Sequence, residues 1–233
     1  MKKRGYLSVI LIFLVLCAKS QISKLEFGIH SGVNMGSLYG SGTNFYFYNQ
    51  YKKRFLGVVV GLDFSYRLSK RYSIKTFLQF EQNALILHDL PLKGRSGDVY
   101  GQGDEILKLS YLNLPITCNR SFGKKIKLNI NGGIFAGFLV RELQITKVKQ
   151  RFQPPGQPPT DETFKKVTNN YKFLNVGISF GTGVSLPVSN KIKLDINVQD
   201  NLGLYDIVKK TNSSRSNTRT NSISFSTGLL ISL

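Results

Sequence analysis

The last twelve residues alternate in character up to the final position. Ile223, Phe225, Thr227, Leu229, Ile231 and Leu233 occupy every second place, with Ser222, Ser224, Ser226, Gly228, Leu230 and Ser232 between them. A period of two marks a β-strand with one apolar and one polar face. No cap or helix follows. A transmembrane β-barrel ends in this way, because its last strand must close on its first.

The front of the chain bears on the compartment. Lys2, Lys3 and Arg4 precede an apolar run from Leu7 to Leu16, and Ala18-Lys19-Ser20 fits a small-x-small cleavage site. That layout is a secretory signal peptide, and the run is too short to span a bilayer as a helix. Residues 1–20 are expected to be removed, leaving residues 21–233 as one barrel domain. A lipoprotein signal using Cys17 is the rival, but Leu16 stands where lipoprotein processing needs a small residue. The remaining chain then has Cys118 as its one cysteine, which leaves no intrachain disulfide and no cysteine metal cluster.

Composition agrees with a single β-domain. About 213 residues remain after the signal. No later segment approaches the roughly eighteen consecutive apolar residues of a membrane helix. The formal charge of +19 falls to +15 once Lys2, Lys3, Arg4 and Lys19 are removed. Nucleic acid is nevertheless not an expected partner, since the chain is exported and carries no nucleic-acid-binding motif.

Eight segments alternate: 25–35, 56–67, 72–81, 111–117, 125–138, 174–184, 191–199 and 222–233. Connections after the second, fourth and sixth are short (69–71, 119–123, 187–190), and those after the others are long (37–54, 84–105, 141–170, 203–221). Strict alternation of short turns and long loops predicts an all-β, eight-stranded, antiparallel up-and-down barrel in the bacterial outer membrane, with both termini in the periplasm. A soluble barrel would turn its apolar face inward around a ligand. Here the polar face is mostly Gly, Ser, Asn and charges of both signs, which favours lipid outside and a filled lumen inside.

Several stretches resemble the PorT-type outer-membrane β-barrel family of small eight-stranded barrels, one member of which is linked to type IX secretion. They are Phe27-Gly28-Ile29 to Asn34, Tyr111-Leu112-Asn113-Leu114-Pro115, Phe122-Gly123-Lys124-Lys125 to Gly132-Gly133, and Gly177 to Gly183. The resemblance spans nearly the whole chain after the signal and consists of strand grammar. It implies a non-enzymatic accessory or structural component of the envelope, with envelope or secretion-complex proteins as partners. The chain departs from the usual pattern by ending in Leu233 rather than an aromatic residue.

The candidate site is the polar face. Glu26, His30, Asp63, Arg67, Lys75, Glu81, Lys125, Lys127, Lys193 and Asp195 are forced together in a narrow lumen, where unpaired charge is costly and ion pairs are expected. Outside the lumen, Phe45, Tyr46, Phe47, Tyr48, Lys52, Lys53, Arg54 and Arg151 mark loops able to bind a partner, which supports a surface adhesin as the alternative function. Other basic residues flank the turns and would attract anionic lipid headgroups. A third alternative is an enzyme at the rim, with His88 and Asp89 as the best-placed pair. No nucleophile motif accompanies them, and two histidines without a third ligand make a poor metal site. No catalytic residue, cofactor or metal is therefore expected. The glycines from 177 to 183 fall on alternate strand positions, which predicts close packing rather than a nucleotide loop.

Overall fold

The computed structural model describes residues 25–41, 52–53, 55–93, 99–150, 161–167, 170–209 and 217–233. The leader, Phe45 to Tyr48, Arg54 and Arg151 lie outside them, as do the side chains of Lys52 and Lys53. Ten strands are described: β1 (Leu25–Ser41), β2 (Lys52–Lys53), β3 (Phe55–Arg67), β4 (Tyr72–Lys93), β5 (Val99–Phe122), β6 (Lys127–Gln150), β7 (Asp161–Val167), β8 (Leu174–Pro187), β9 (Ile192–Gly203) and β10 (Asn217–Ser232).

All pairings are antiparallel, and they close on themselves. β1 pairs with β3 on one side and β10 on the other, so that Phe27 faces Phe64 and Ile231. From β3 the sheet continues through β4, β5, β6, β8 and β9 back to β10. Closure leaves the ring without an open edge, as a sheet in lipid requires. The sheet path holds nine strand segments rather than eight. The additional one is β2, which lies along β4 one register step away from β3: Lys53 faces Ile86, and Val59 faces Glu81. β7 lies off the path, paired with β6.

The alternation in sequence becomes two faces of the ring. Ile29, Val58, Val60, Ile130, Ile134 and Leu229 point outward and are 47–64% exposed, whereas the inward Asn34, Glu81, Thr117 and Ser179 are 0% exposed. A water-soluble protein has the opposite distribution. An apolar skin of this extent is stabilised by lipid and not by water, which decides against the soluble barrel with an inward apolar face. Glycines on the inward face make room for large polar neighbours. A Cβ on Gly61 would sit 2.7 Å from His30 Cε1, and one on Gly181 2.6 Å from Gln199 Oε1.

The strands run further than the alternation suggests. Residues 84–93, 99–105, 141–150 and 161–167, read above as loop, are strand. β1 and β3 last pair at Gly36 and Phe55, whereas β5 and β6 pair as far as Gly101 and Gln150. About ten residues per strand project beyond the ring, a wall roughly 30 Å tall at about 3.4 Å per residue. Period-two reading fails there because both faces carry apolar side chains. Ile86, Ile106 and Ile145 pair on one face, and Leu85 and Leu107 on the other.

At the opposite end the turns are tight. Ser69 Oγ accepts hydrogen bonds from Arg71 N and Tyr72 N, and Ser189 Oγ accepts them from Lys191 N and Ile192 N. These are the same serine-capped turn used twice. The middle turn differs from expectation. β5 persists to Phe122, and the chain reverses at Gly123, whose φ of 96° suits glycine. Lys125 therefore lies in the turn, exposed, and not in the lumen.

Candidate functional site: a filled lumen and its two mouths

Inward positions on eight strands stack polar side chains from the short-turn end to the long-loop end. At the short-turn mouth, Glu26 Oε1 accepts hydrogen bonds from Arg67 Nη2 and Lys193 Nζ, and one from Ser232 Oγ at 3.4 Å. Lys127 lines the same crater. One layer deeper, Lys75 Nζ donates to Asp195 Oδ2 at 3.0 Å, and Ser185 Oγ donates to Asp195 Oδ1. Asn129 Nδ2 donates to Ser185 Oγ at 2.6 Å, and Ser121 Oγ to Asn129 Oδ1 at 2.7 Å.

Above this, His30 Nδ1 lies 2.7 Å from Asp63 Oδ1, with both side chains buried. The imidazole meets the Phe77 ring edge-on at 5.8 Å between centroids. The next layer centres on Glu81. Asn113 Nδ2 donates to it at 2.6 Å, Gln79 Nε2 at 3.2 Å, and Asn34 and Asn201 Nδ2 at 3.4 Å each. Among the described residues no cation pairs with Glu81; four amides share its charge instead. Hydrogen-bonded amides can hold a buried carboxylate that lacks an ion-pair partner.

Of the ten lumen residues read from the sequence, the structure joins Glu26 with Arg67 and Lys193, His30 with Asp63, and Lys75 with Asp195. It surrounds Glu81 with amides and leaves Lys125 outside. Sequence reasoning named the charges and missed the neutral partners Asn34, Asn113, Asn129, Asn201 and Ser185. Their signal was present, since each occupies an alternate position on a strand's polar face.

At the long-loop end the chemistry changes. Leu38, Leu109, Tyr111 and Ile207 form a buried apolar plug, with Leu85, Leu107, Leu139 and Tyr171 packed against it. Ile207 comes from the segment after β9, which folds back over the mouth. Ile207 N donates to Thr218 O at 2.8 Å, and Lys172 N donates to Ile207 O at 2.6 Å. Glu142 accepts from the backbone N–H groups of Asn170 and Tyr171. Burial, with Glu142 and Glu105 nearby, pushes the Tyr171 phenol above its ordinary range.

The interior voids are small. One of about 30 Å³ lies in the short-turn crater and one of about 20 Å³ beside His30 and Ser224. Each has room for one or two waters. On the wall, His88 pairs with Asp104 of β5 at 3.2 Å rather than with Asp89. Asp89 instead takes a positive φ of 53° at a register shift between β4 and β5, and its N–H donates to Asp104 Oδ1. No group of three metal-ligating side chains converges among the described residues.

A closed antiparallel sheet with an apolar skin and a polar, side-chain-filled interior is a transmembrane β-barrel of the bacterial outer membrane. The chain belongs to the outer membrane protein beta-barrel domain family, whose model matches residues 18–209. No curated protein matches it. Among solved structures it is similar to a major outer membrane protein from Thermus thermophilus, with 10% identity, a TM-score of 0.44, and 89% of this chain and 98% of that one covered. It is also similar to Neisserial surface protein A, with 13% identity, a TM-score of 0.42, and 89% and 97% covered. The OprG protein from Pseudomonas aeruginosa gives 10% identity, a TM-score of 0.42, and 91% and 99% covered.

Proposed function

We propose that this barrel is a non-enzymatic accessory or structural component of the outer membrane that works through its ends and its projecting wall, not by passing solutes through its centre. The observation that carries this reading is the filled lumen. Layers of hydrogen-bonded side chains lead from Glu26 to Glu81, and the plug around Ile207 lies beyond them. In this reading the short turns and both termini face the periplasm, and the wall of β4 to β7 faces outward. Participation in a secretion assembly, as the PorT resemblance suggests, is its most specific form.

Single-barrel recordings in planar bilayers test the closed lumen. The expected trace has no conductance steps, and steady porin-like steps would overturn the reading. Photo-crosslinkers placed at Val140 on the ring and at Lys124 on a short turn then test the partner class in cells. Adducts with envelope proteins are expected.

A specific observation favours the adhesin as a second reading. β7 widens the wall and exposes Phe164 and Val167 beside Lys165 and Lys166. Crosslinks from Phe164 to external ligands, with none to envelope proteins, would favour that reading over the first.

A further inference from the structure

Six basic residues line the crater at the short-turn mouth: Arg67, Lys70, Arg71, Lys75, Lys127 and Lys193. Glu26 is the one carboxylate among the lining residues. Lys70 and Arg71 are exposed on a turn, whereas the other four differ in kind from the basic residues around them. Lys124, Lys125 and Lys191 are exposed on the turns, where anionic headgroups of the bilayer account for them. Arg67, Lys75, Lys127 and Lys193 occupy inward positions on four different strands, so the barrel wall stands between them and the surrounding lipid.

The charges at the mouth do not balance. Asp195 matches Lys75 at 3.0 Å. Glu26 serves both Arg67 and Lys193. Lys127 holds no ion pair among the described residues. Three cations thus face one carboxylate, a surplus of two positive charges on the crater floor. Ser65 and Ser73 line the same space and can donate hydroxyl hydrogen bonds. Charge held in a concavity with low-dielectric walls focuses its field on whatever enters.

We propose that this mouth binds a phosphate monoester group, presented either by a soluble ester or by a monoester lipid headgroup reaching over the rim. A phosphate monoester carries about −1.5 to −2 charges at neutral pH and offers three acceptor oxygens. That matches the surplus, whereas a single carboxylate would neutralise half of it. Space agrees with the assignment. The enclosed space of about 30 Å³ opens at the rim, so a phosphate group can replace the waters it has room for while the rest of the ester stays outside. Lys127 is the free donor of the site, and Arg67 and Lys193 are shared between Glu26 and the ligand.

The test uses the full barrel in phosphatidylcholine nanodiscs, titrated with glycerol 3-phosphate and followed by phosphorus NMR. Saturable binding is expected. Lys127→Gln is expected to weaken it about fivefold, the worth of one charge near a surface, and Lys127→Arg to retain it. The double variant Lys124→Gln/Lys125→Gln is expected to bind as the parent does. Heat-modifiable gel mobility verifies that each variant is folded. In a second arm, nanodiscs containing phosphatidic acid are treated with an amine-acylating reagent. Protection of Lys127 there, without binding of the soluble ester, identifies the headgroup as the source. Undiminished binding by Lys127→Gln, equal loss in the turn variant, or neither binding nor protection overturns the proposal.

Discussion

Asn113 Nδ2 donates to Glu81 Oε2 at 2.6 Å between neighbouring strands in the middle of the lumen, and Glu81 is 0% exposed. The carboxylate accepts from four amides, so removing it takes an acceptor from Gln79, Asn113 and Asn201, while Asn34 Nδ2 keeps Gln82 O at 2.7 Å. Glu81→Leu is expected to lower the unfolding free energy by about 2–4 kcal/mol, since stranded buried donors cost about 1–3 kcal/mol each and relax in part. Glu81→Gln keeps an acceptor and should lose less than half as much. Urea titration read by heat-modifiable mobility checks both. Equal losses would show that the charged carboxylate, and not a single acceptor oxygen, is what Glu81 supplies.

Ile207 holds the long-loop mouth closed. Ile207→Ala removes its packing on Leu38, Leu109 and Tyr111 and is expected to cost about 2–4 kcal/mol locally. The effect should appear as amide exchange at Ile207 and Lys172 accelerated roughly 30-fold or more, with the ring strands unaffected. Uniform acceleration around the barrel would mean that the plug is part of the ring's own cooperative unit.

The plug also has an expected alkaline limit. Folding raises the Tyr171 pKa, so the folded state keeps the phenol protonated where the unfolded segment releases its proton. The stabilisation is complete below the ordinary tyrosine pKa of about 10 and is lost as pH rises from there toward the folded value. Tyr171→Phe should remove that part of the alkaline loosening, measured as protease sensitivity of the 204–209 segment against pH.

The lipid-facing skin predicts a depth-dependent cost for charge. Ile134 is 64% exposed and pairs with Ile116 and Ile178 on the outer face. Ile134→Arg is expected to cost about 2–4 kcal/mol in bilayers, the penalty of a midplane arginine on a barrel. A neutral result in a reversible lipid-vesicle titration would count against this face being buried in hydrocarbon.

Cys118 gives an independent reading of the same face. It is exposed, and its backbone neighbours across the strands are Ile74 and Gly132. In lipid vesicles the thiol should react with membrane-permeant maleimides and resist charged thiosulfonates, with the protection lost in urea.

Much of this architecture was legible because lipid enforces a simple rule. Every ring strand must show apolar residues outward at alternate places, so Ile29, Val58 and Leu229 could be assigned to a face from spacing alone. The rule lapses beyond the ring. At Ile86-Leu87 and Ile106-Leu107 both faces are apolar, and strand there reads as loop. The plug was illegible for a related reason. Ile207 sits in a short segment, Leu204 to Val208, with no period-two pattern, and its burial depends on Leu38 and Tyr111 from distant strands. In the lumen, charged residues drew attention by their cost, while the amides and hydroxyls that share the work with them read as ordinary strand polarity.

Glu26 draws together Arg67, Lys193 and Ser232, which lie 41, 167 and 206 positions further along the chain. A cluster with such separations has no local precursor. Helical proteins fold through near neighbours, whereas here the loop-closure entropy of almost the whole chain must be overcome before these contacts form. The short-turn mouth can take its final shape only when β10 has joined β1, so the mouth is among the last parts of this barrel to become competent.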